Sequence, residues 1–218
     1  GNEEGDRCST ADEGDSACLA GGKALVTCRE GSYRVVPCRG PNGCSRKGDT
    51  AWCDHRKAEA GDPCRGEVVG CSEDGGLMFG CKDDEFVLLS HCRGPAGCRP
   101  APDRGENLVE CDASRSEVGD ACSGDGYACS LDGKAFLSCV GGKVTFGLHC
   151  RGPTGCGRQG DNVECDGSLG VVGDPCKVEG ATCSTDGKSI LACAAGKLVE
   201  HARCPRRCAD LGDSVACE

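Results

Sequence analysis

The chain has 218 residues, of which 24 are Cys and 36 are Gly, with aromatics at 3% and a formal net charge of −10. About one residue in nine is Cys, a level that marks a disulfide scaffold, and the apolar residues that remain are too few for one large core in a chain this long. No window approaches 18 uninterrupted apolar residues, which rules out a membrane-spanning helix. The lack of long Val/Ile/Leu runs argues against a doubly wound or barrel enzyme, and the acidic balance argues against nucleic acid as a partner.

The cysteines fall into four sextets. They are Cys8, Cys18, Cys28, Cys38, Cys44, Cys53; then Cys64, Cys71, Cys81, Cys92, Cys98, Cys111; then Cys122, Cys129, Cys139, Cys150, Cys156, Cys165; and last Cys176, Cys183, Cys193, Cys204, Cys208, Cys217. Zinc sites use close pairs of the C-x2-C type, and the closest pair here is Cys204 and Cys208. The sextets therefore read as structural disulfides, with no metal and no cofactor expected. Disulfides on this scale imply an oxidising compartment. Gly1, Asn2, Glu3 and Glu4 form neither a basic nor an apolar signal region, so the expectation is an extracellular or cell-surface protein, secreted and with its signal peptide already removed.

The repeat divides the chain into six-Cys modules over 1–60, 61–118, 119–172 and 173–218. Each opens on Gly-Asp-x-Cys, at Gly5-Asp6, Gly61-Asp62, Gly119-Asp120 and Gly173-Asp174. After the second Cys comes a turn: Gly21-Gly22, then Asp74-Gly75, Asp132-Gly133 and Asp186-Gly187. Asp-Gly between short apolar runs predicts a type I′ hairpin. A second turn follows the third Cys, at Glu30-Gly31, Asp83-Asp84, Gly141-Gly142 and Ala195-Gly196. Strand-like runs succeed it, at Tyr33–Val36, Glu85–Leu89, Lys143–Phe146 and Lys197–Glu200. The fold class expected is all-β, small and disulfide-rich: four tandem β-meander modules, each of three antiparallel strands plus a short fourth such as Asn162–Cys165. Three disulfides within each module are expected to hold it, each closing a loop of about ten residues and contributing about 2–4 kcal/mol. Six cysteines allow 15 pairings, and the sequence does not choose among them. Sixth Cys to next first Cys is 11 positions at every junction, whereas a slack tether tolerates length change cheaply. The modules are therefore expected to stack as a rod.

Three modules carry Cys-Arg-Gly-Pro-x-Gly-Cys between the fourth and fifth Cys, with Arg39, Arg93 and Arg151; the fourth has Pro205, Arg206 and Arg207 instead. Gly and Pro suit a rigid turn, but a turn does not need the Arg. A row of Arg side chains suits carboxylates or sulfates, which makes Arg39, Arg93, Arg151, Arg206 and Arg207 the candidate binding residues. Such loops would take an acidic polysaccharide or a protein partner, and an Arg on a disulfide-framed loop is also the arrangement of a protease inhibitor. No catalytic residue is identified: His55, His91, His149 and His201 have no second His nearby, and no nucleophile or metalloprotease motif occurs. The alternating Asp ladder of a calcium loop is absent too. Module 2 is the acidic one, with 6 basic and 12 acidic residues.

The combined pattern of Gly-Asp-x-Cys, Cys-Ser-x-Asp-Gly-Lys, Cys-Arg-Gly-Pro-x-Gly-Cys and Gly-Asp-x-Val-x-Cys, running from Gly5 to Cys217, resembles the Cys-rich repeats of uncharacterised secreted proteins and lipoproteins of myxobacteria. The resemblance implies secretion and, for a lipoprotein, an anchoring Cys ahead of Gly1; it carries no activity. The function expected is a non-enzymatic extracellular structural or adhesive repeat protein. Locally acidic residues near the start (Glu3, Glu4, Asp6, Asp12, Glu13, Asp15) and Arg206-Arg207 near the other end point to head-to-tail association with itself into a surface fibre. An extracellular glycan or protein is the alternative partner.

Overall fold

The computed structural model describes residues 5–101, 108–160, 162–177, 180–212 and 214–218. Glu3 and Glu4, part of the acidic start, lie outside the described residues. The chain forms two compact units, Gly1–Asp112 and Ala113–Glu218, and each holds two of the six-Cys modules. Among the described residues the structure is all-β apart from one short 3-10 turn, Thr10–Asp12, in the enlarged first loop.

In the first unit, β1 (Ser16–Cys18), β2 (Ala24–Arg29) and β3 (Ser32–Pro37) form an antiparallel meander, and β4 (Cys44–Lys47) pairs with β5 (Thr50–Cys53) as a separate hairpin. Its second module repeats this with β6 (Val69–Cys71), β7 (Leu77–Lys82) and β8 (Glu85–His91), then β9 (Cys98–Pro100) with β10 (Val109–Cys111). In the second unit, β11 (Arg115–Ser116) precedes the meander of β12 (Tyr127–Ser130), β13 (Ala135–Val140) and β14 (Lys143–His149) and the hairpin of β15 (Cys156–Gln159) and β16 (Asn162–Cys165). The last module follows suit, with β17 (Leu169–Gly170), a meander of β18 (Ala181–Ser184), β19 (Ser189–Ala194) and β20 (Lys197–Arg203), and a hairpin of β21 (Cys208–Asp210) and β22 (Val215–Cys217). The expected fourth strand is thus present, but its partner is the segment after the fifth Cys rather than the meander. With nine positions between the fifth and sixth Cys in module 1, Cys44–Lys47 and Thr50–Cys53 meet across the two-residue turn Gly48-Asp49.

The two turns of the meander exchange the roles expected of them. At the Asp-Gly turns only the Gly has positive φ (Gly75 73°, Gly133 70°, Gly187 69°), so they are not type I′. Ser72 N donates to Leu77 O, which closes a loop of four residues. Within it the Ser72 hydroxyl donates to Asp74 and accepts from Leu77 N, while Asp74 accepts from Gly76 N. The Asp is there for its side chain, which replaces a backbone turn. The type I′ geometry sits at the second turn, where both central residues have positive φ: Glu30 50° and Gly31 77°, Asp83 50° and Asp84 68°, Gly141 59° and Gly142 78°, Ala195 49° and Gly196 77°. Two-residue connections require it there, because the primed turn matches strand twist.

All 24 cysteines are paired, within modules and in one pattern: first to third, second to fifth, fourth to sixth. The closed segments are longer than expected, from 13 residues at Cys204–Cys217 to 27 at Cys71–Cys98 and Cys129–Cys156, because the pairing interleaves instead of joining neighbours. Each closure of that length is worth about 3 kcal/mol in denatured-state entropy. The cores are correspondingly small. Phe79 and Phe86 pack with Ala58 and Cys64 in module 2, and Leu137 with Ala128 and Val144 in module 3. Elsewhere the buried clusters are mostly cystine, as with Cys71, Cys92 and Cys98.

The segment after each sixth Cys belongs structurally to the module that follows. Arg115 and Ser116 pair in parallel with Cys129 and Ser130, and Leu169 and Gly170 with Cys183 and Ser184; in module 2 the same place holds a single parallel bridge, Lys57 to Cys71. Ala58, only 2% exposed, is part of the module 2 core. Peptide mapping under non-reducing conditions is expected to recover the first–third, second–fifth and fourth–sixth bridges in all four modules. A reproducible free thiol, or a bridge joining two modules, would contradict the structure.

Candidate functional site

The Arg-Gly-Pro-x-Gly loops are built on an Asp that sequence reasoning passed over, the residue after the sixth Cys. Gly40 N donates to Asp54 O, Gly43 N to Gly40 O, and Asp54 N to Gly43 O; Gly94, Gly97 and Asp112 repeat this, as do Gly152, Gly155 and Asp166. The carboxylate then turns back over the loop. Asp54 accepts from Asn42 N, Asp112 from Ala96 N, and Asp166 from Thr154 N and the Thr154 hydroxyl. A Cβ on Gly40, Gly94 or Gly152 would stand 2.2, 2.1 or 1.9 Å from that carboxylate, so the Gly of Arg-Gly-Pro is a steric requirement. The second Gly has φ of 57–63° at Gly43, Gly97 and Gly155, with the carbonyl of Gly22, Gly75 or Gly133 close by. The only sign of this in the sequence is Cys-Asp at 53–54, 111–112 and 165–166, with Cys217-Glu218 in its place in module 4.

Two of these carboxylates, Asp54 and Asp166, are held ionised. Hydrogen bonds from Ser168 and from Thr154 lower Asp166 to about 2. Burial pushes Asp54 up, but hydrogen bonds from Arg56 and from Asn42 outweigh it and leave Asp54 below the usual carboxylate range. Asp54 is 2% exposed and ion-paired to Arg56 at 2.7 Å.

The repeated Arg does not stand out into solvent as a free cation. Arg39 Nε and Nη2 donate to Asp62 Oδ2 and Oδ1 at 2.6 and 3.0 Å, and Nη2 also lies 2.7 Å from Glu59. Arg151 Nε and Nη2 donate to Asp174 Oδ2 and Oδ1 at 2.5 and 2.9 Å. In both cases the acceptor is the Asp of the Gly-Asp-x-Cys that opens the next module. The two motifs read separately in the sequence are the two halves of one bidentate ion pair, a geometry that only Arg supplies. Each Asp is pre-set by its own turn: Asp62 accepts from Glu59 N, and Asp174 from Val171 N. The Arg151 guanidinium lowers Asp174 further. His149 Nε2 lies 3.8 Å from the same carboxylate.

The remaining candidates divide. Arg93 is engaged as well. Arg207 pairs with Glu218 at 2.6 Å, while Arg206 is exposed. Among the histidines, His55 is half-buried against the Phe86 ring, and burial lowers its pKa; His91 is engaged, and His201 is exposed on β20. Among the described residues no three His, Cys, Asp or Glu side chains are grouped to hold a metal ion.

Two open clefts lie beside the Arg-Gly-Pro loops. One, of about 940 Å³, runs between the Gly21–Lys23 turn, the Pro37–Cys44 loop and Lys57, Glu59 and Glu73 of the next module. The other, of about 770 Å³, is its counterpart in the second unit, bounded by Lys134, the His149–Cys156 loop and Thr185. Lys57 Nζ is committed to the carbonyls of Ser72 and Glu73, and Arg115 Nη1 to that of Ser130, so these linker cations tie each linker to the first turn of its own module.

Comparison with protein-family models, with curated proteins and with solved structures finds no match.

Replacing Gly152 by Ala is expected to destabilise the second unit by about 1–3 kcal/mol, as overpacking does, because Asp166 must leave its hydrogen bonds. Gly157→Ala, at a position with nothing within 4 Å of the new Cβ, is the control and should be near neutral in thermal melts. Acid acts on the same group. A carboxylate whose folded value is depressed stabilises above its ordinary value and loses that contribution as pH falls through the folded one. For Asp166 the loss therefore falls between 3.8 and about 2. Melting temperature followed over that range should drop in the native chain and drop less in Asp166→Asn.

Proposed function

We propose that this chain is a non-enzymatic structural repeat protein of an extracellular or cell-surface assembly, working as a stapled, protease-resistant unit with an adhesive or fibre-forming role. The observation that carries this reading is the fate of the repeated Arg, the most ligand-like feature of the sequence: Arg39 and Arg151 are spent on Asp62 and Asp174 of the following module. Chemistry that would otherwise recruit a partner is used to fix one module against the next. Twelve disulfides are consistent with the same role and with an oxidising compartment. The shortage of buried apolar mass also leaves little from which to build a water-excluding catalytic pocket. Kinship with the secreted Cys-rich repeat proteins of myxobacteria belongs to this proposal.

A second reading, binding of acidic polysaccharide, draws on the two clefts, where exposed Lys23 and Lys134 stand beside Arg39 and Arg151. Against it stands the prior commitment of both Arg side chains to carboxylates.

Immunogold microscopy of the producing cells tests the proposal together with deletion of the gene. The expected result is label in a surface or matrix layer whose cohesion or adhesion suffers on deletion. Salt-sensitive binding of the purified chain to acidic glycans, without a layer defect, would favour the second reading. Substrate turnover or stoichiometric protease inhibition would overturn both.

A further inference from the structure

The core of module 2 is closed by an aromatic pair that module 4 lacks. The His55 ring, carried on the linker, lies 5.6 Å from the Phe86 ring on the third meander strand. Phe86 is 2% exposed and packs with Phe79, Ala58 and Cys64, and Val68 lies against the cluster. Backbone bonds identify the equivalent positions in module 4. Gly152 N donates to Asp166 O as Gly40 N does to Asp54 O, so Gly167 stands where His55 does. Cys193 N donates to Gly180 O as Cys81 N does to Val68 O, and Gly173 N to Leu198 O as Gly61 N does to Phe86 O. The imidazole and the isopropyl group are therefore deleted, and the phenyl ring is cut down to a Leu side chain.

The space they filled in module 2 is open in module 4. A pocket of about 250 Å³ lies there, walled by Leu148, Leu169, Pro175, Ala181 and Leu198 and by the Cys176–Cys193 disulfide. A Cβ on Gly167 or on Gly180 would meet nothing within 4 Å. The Leu198 side chain lies against the linker: its Cδ1 is 2.4 Å from where a Cβ on Gly170 would stand, the place of the Ala58 methyl in module 2. Leu198 and Cys176 are only half-buried, whereas Phe86 and Cys64 are 2% and 3% exposed. The His149 ring forms a further wall, 4.7 Å from the Phe146 ring. The polar groups around the pocket are already spent: the Thr182 hydroxyl bonds the Gly167 and Ser168 carbonyls, and the Asp174 carboxylate holds Arg151.

We propose that this pocket of module 4 binds a small neutral aromatic molecule of about the size of indole, which takes the place of the missing His55–Phe86 contact. The volume suits such a guest, since an apolar cavity of about 150 Å³ already holds benzene and drug-sized ligands begin at about 300 Å³. Aliphatic walls and an imidazole face fit a flat ring. With the neighbouring polar groups satisfied, a charged guest would lose its hydration with nothing to replace it. This inference goes beyond the structural reading, which stands or falls without it.

Indole titrated into the full chain, followed by proton–nitrogen correlation spectra, is the test. Saturable shifts are expected at the amides of Gly167, Leu169, Gly180 and Leu198, with a Kd of about 1 mM or tighter. Gly167→His together with Leu198→Phe rebuilds the closure of module 2. It should weaken indole at least about tenfold and raise the melting temperature without ligand, as cavity filling does. Gly180→Val, a milder filling with all disulfides formed, should weaken indole in the same direction and serves if the double variant does not fold. No saturable shift at about 10 mM indole, or unchanged binding in the filled variants, would overturn the guest. Tighter binding of hexanol than of indole would overturn its aromatic character. Any self-association of the chain should be indifferent to indole; self-association that indole disperses would assign the pocket to an aromatic side chain of another copy and overturn the free guest.

Discussion

In each module the two cysteines of the short hairpin lie directly opposite one another, as Cys156 does Cys165, yet they bond in different directions. The fifth Cys reaches the first meander strand, and the sixth reaches the end of the third. A bond between the facing pair would have closed the hairpin on itself and left it loose. The crossed pairing instead pins both hairpin strands to both edges of the meander, and the first–third bridge pins the opening Gly-Asp segment to its middle. With Leu137 and Leu191 the largest fully buried side chains, apolar burial gives about 1.5–3 kcal/mol per such residue, and a handful of them cannot hold a module alone. The closures at about 3 kcal/mol each make up the difference.

Everything beyond the staples follows from the placement of the sixth Cys. It fixes the next residue, Asp54, Asp112 or Asp166, beneath the Arg-Gly-Pro loop. The Asp shapes the loop, and in two loops the Arg beside it is aimed at the next module's Asp. From the same point the chain pairs in parallel with the next sheet, as a two-residue strand in modules 3 and 4 and as a single bridge in module 2. The 11-position spacing is the length needed to leave the hairpin, pair with the first meander strand, turn on the Asx motif and reach the first Cys. An insertion would displace a strand and an ion pair together, which explains why the spacing inside modules drifts while this one does not.

The fold class was legible because Cys spacing and turn residues are local signals. The Asp-Gly turn was misread because the dipeptide is common to two geometries, and only the Ser two residues before the Asp, as in Ser72 with Asp74, distinguishes the four-residue loop. Disulfide pairing was not legible, since all 15 arrangements fit six cysteines and the choice lies in strand positions. The Arg residues suggested an acidic ligand from outside the chain, whereas Arg39 and Arg151 meet carboxylates of the chain itself. Their carboxylates were visible too, in Gly-Asp-x-Cys, but linking residues 23 positions apart, Arg39 to Asp62 and Arg151 to Asp174, requires the path of the linker. The Asp after the sixth Cys was overlooked because nothing local marks it as more than a polar residue beside a cystine.

The central claim is that Arg39 and Arg151 each join two modules through the Asp of the next Gly-Asp-x-Cys. A double-mutant cycle on Arg151→Ala and Asp174→Asn measures it most directly, read by hydrogen exchange at the Val171 and Leu198 amides, whose acceptors are the side chain and the carbonyl of Asp174. A partly exposed bidentate pair predicts a coupling of about 1 kcal/mol, so the two losses of protection should overlap. Strictly additive losses would mean that Arg151 and Asp174 act independently, and the clamp would be wrong.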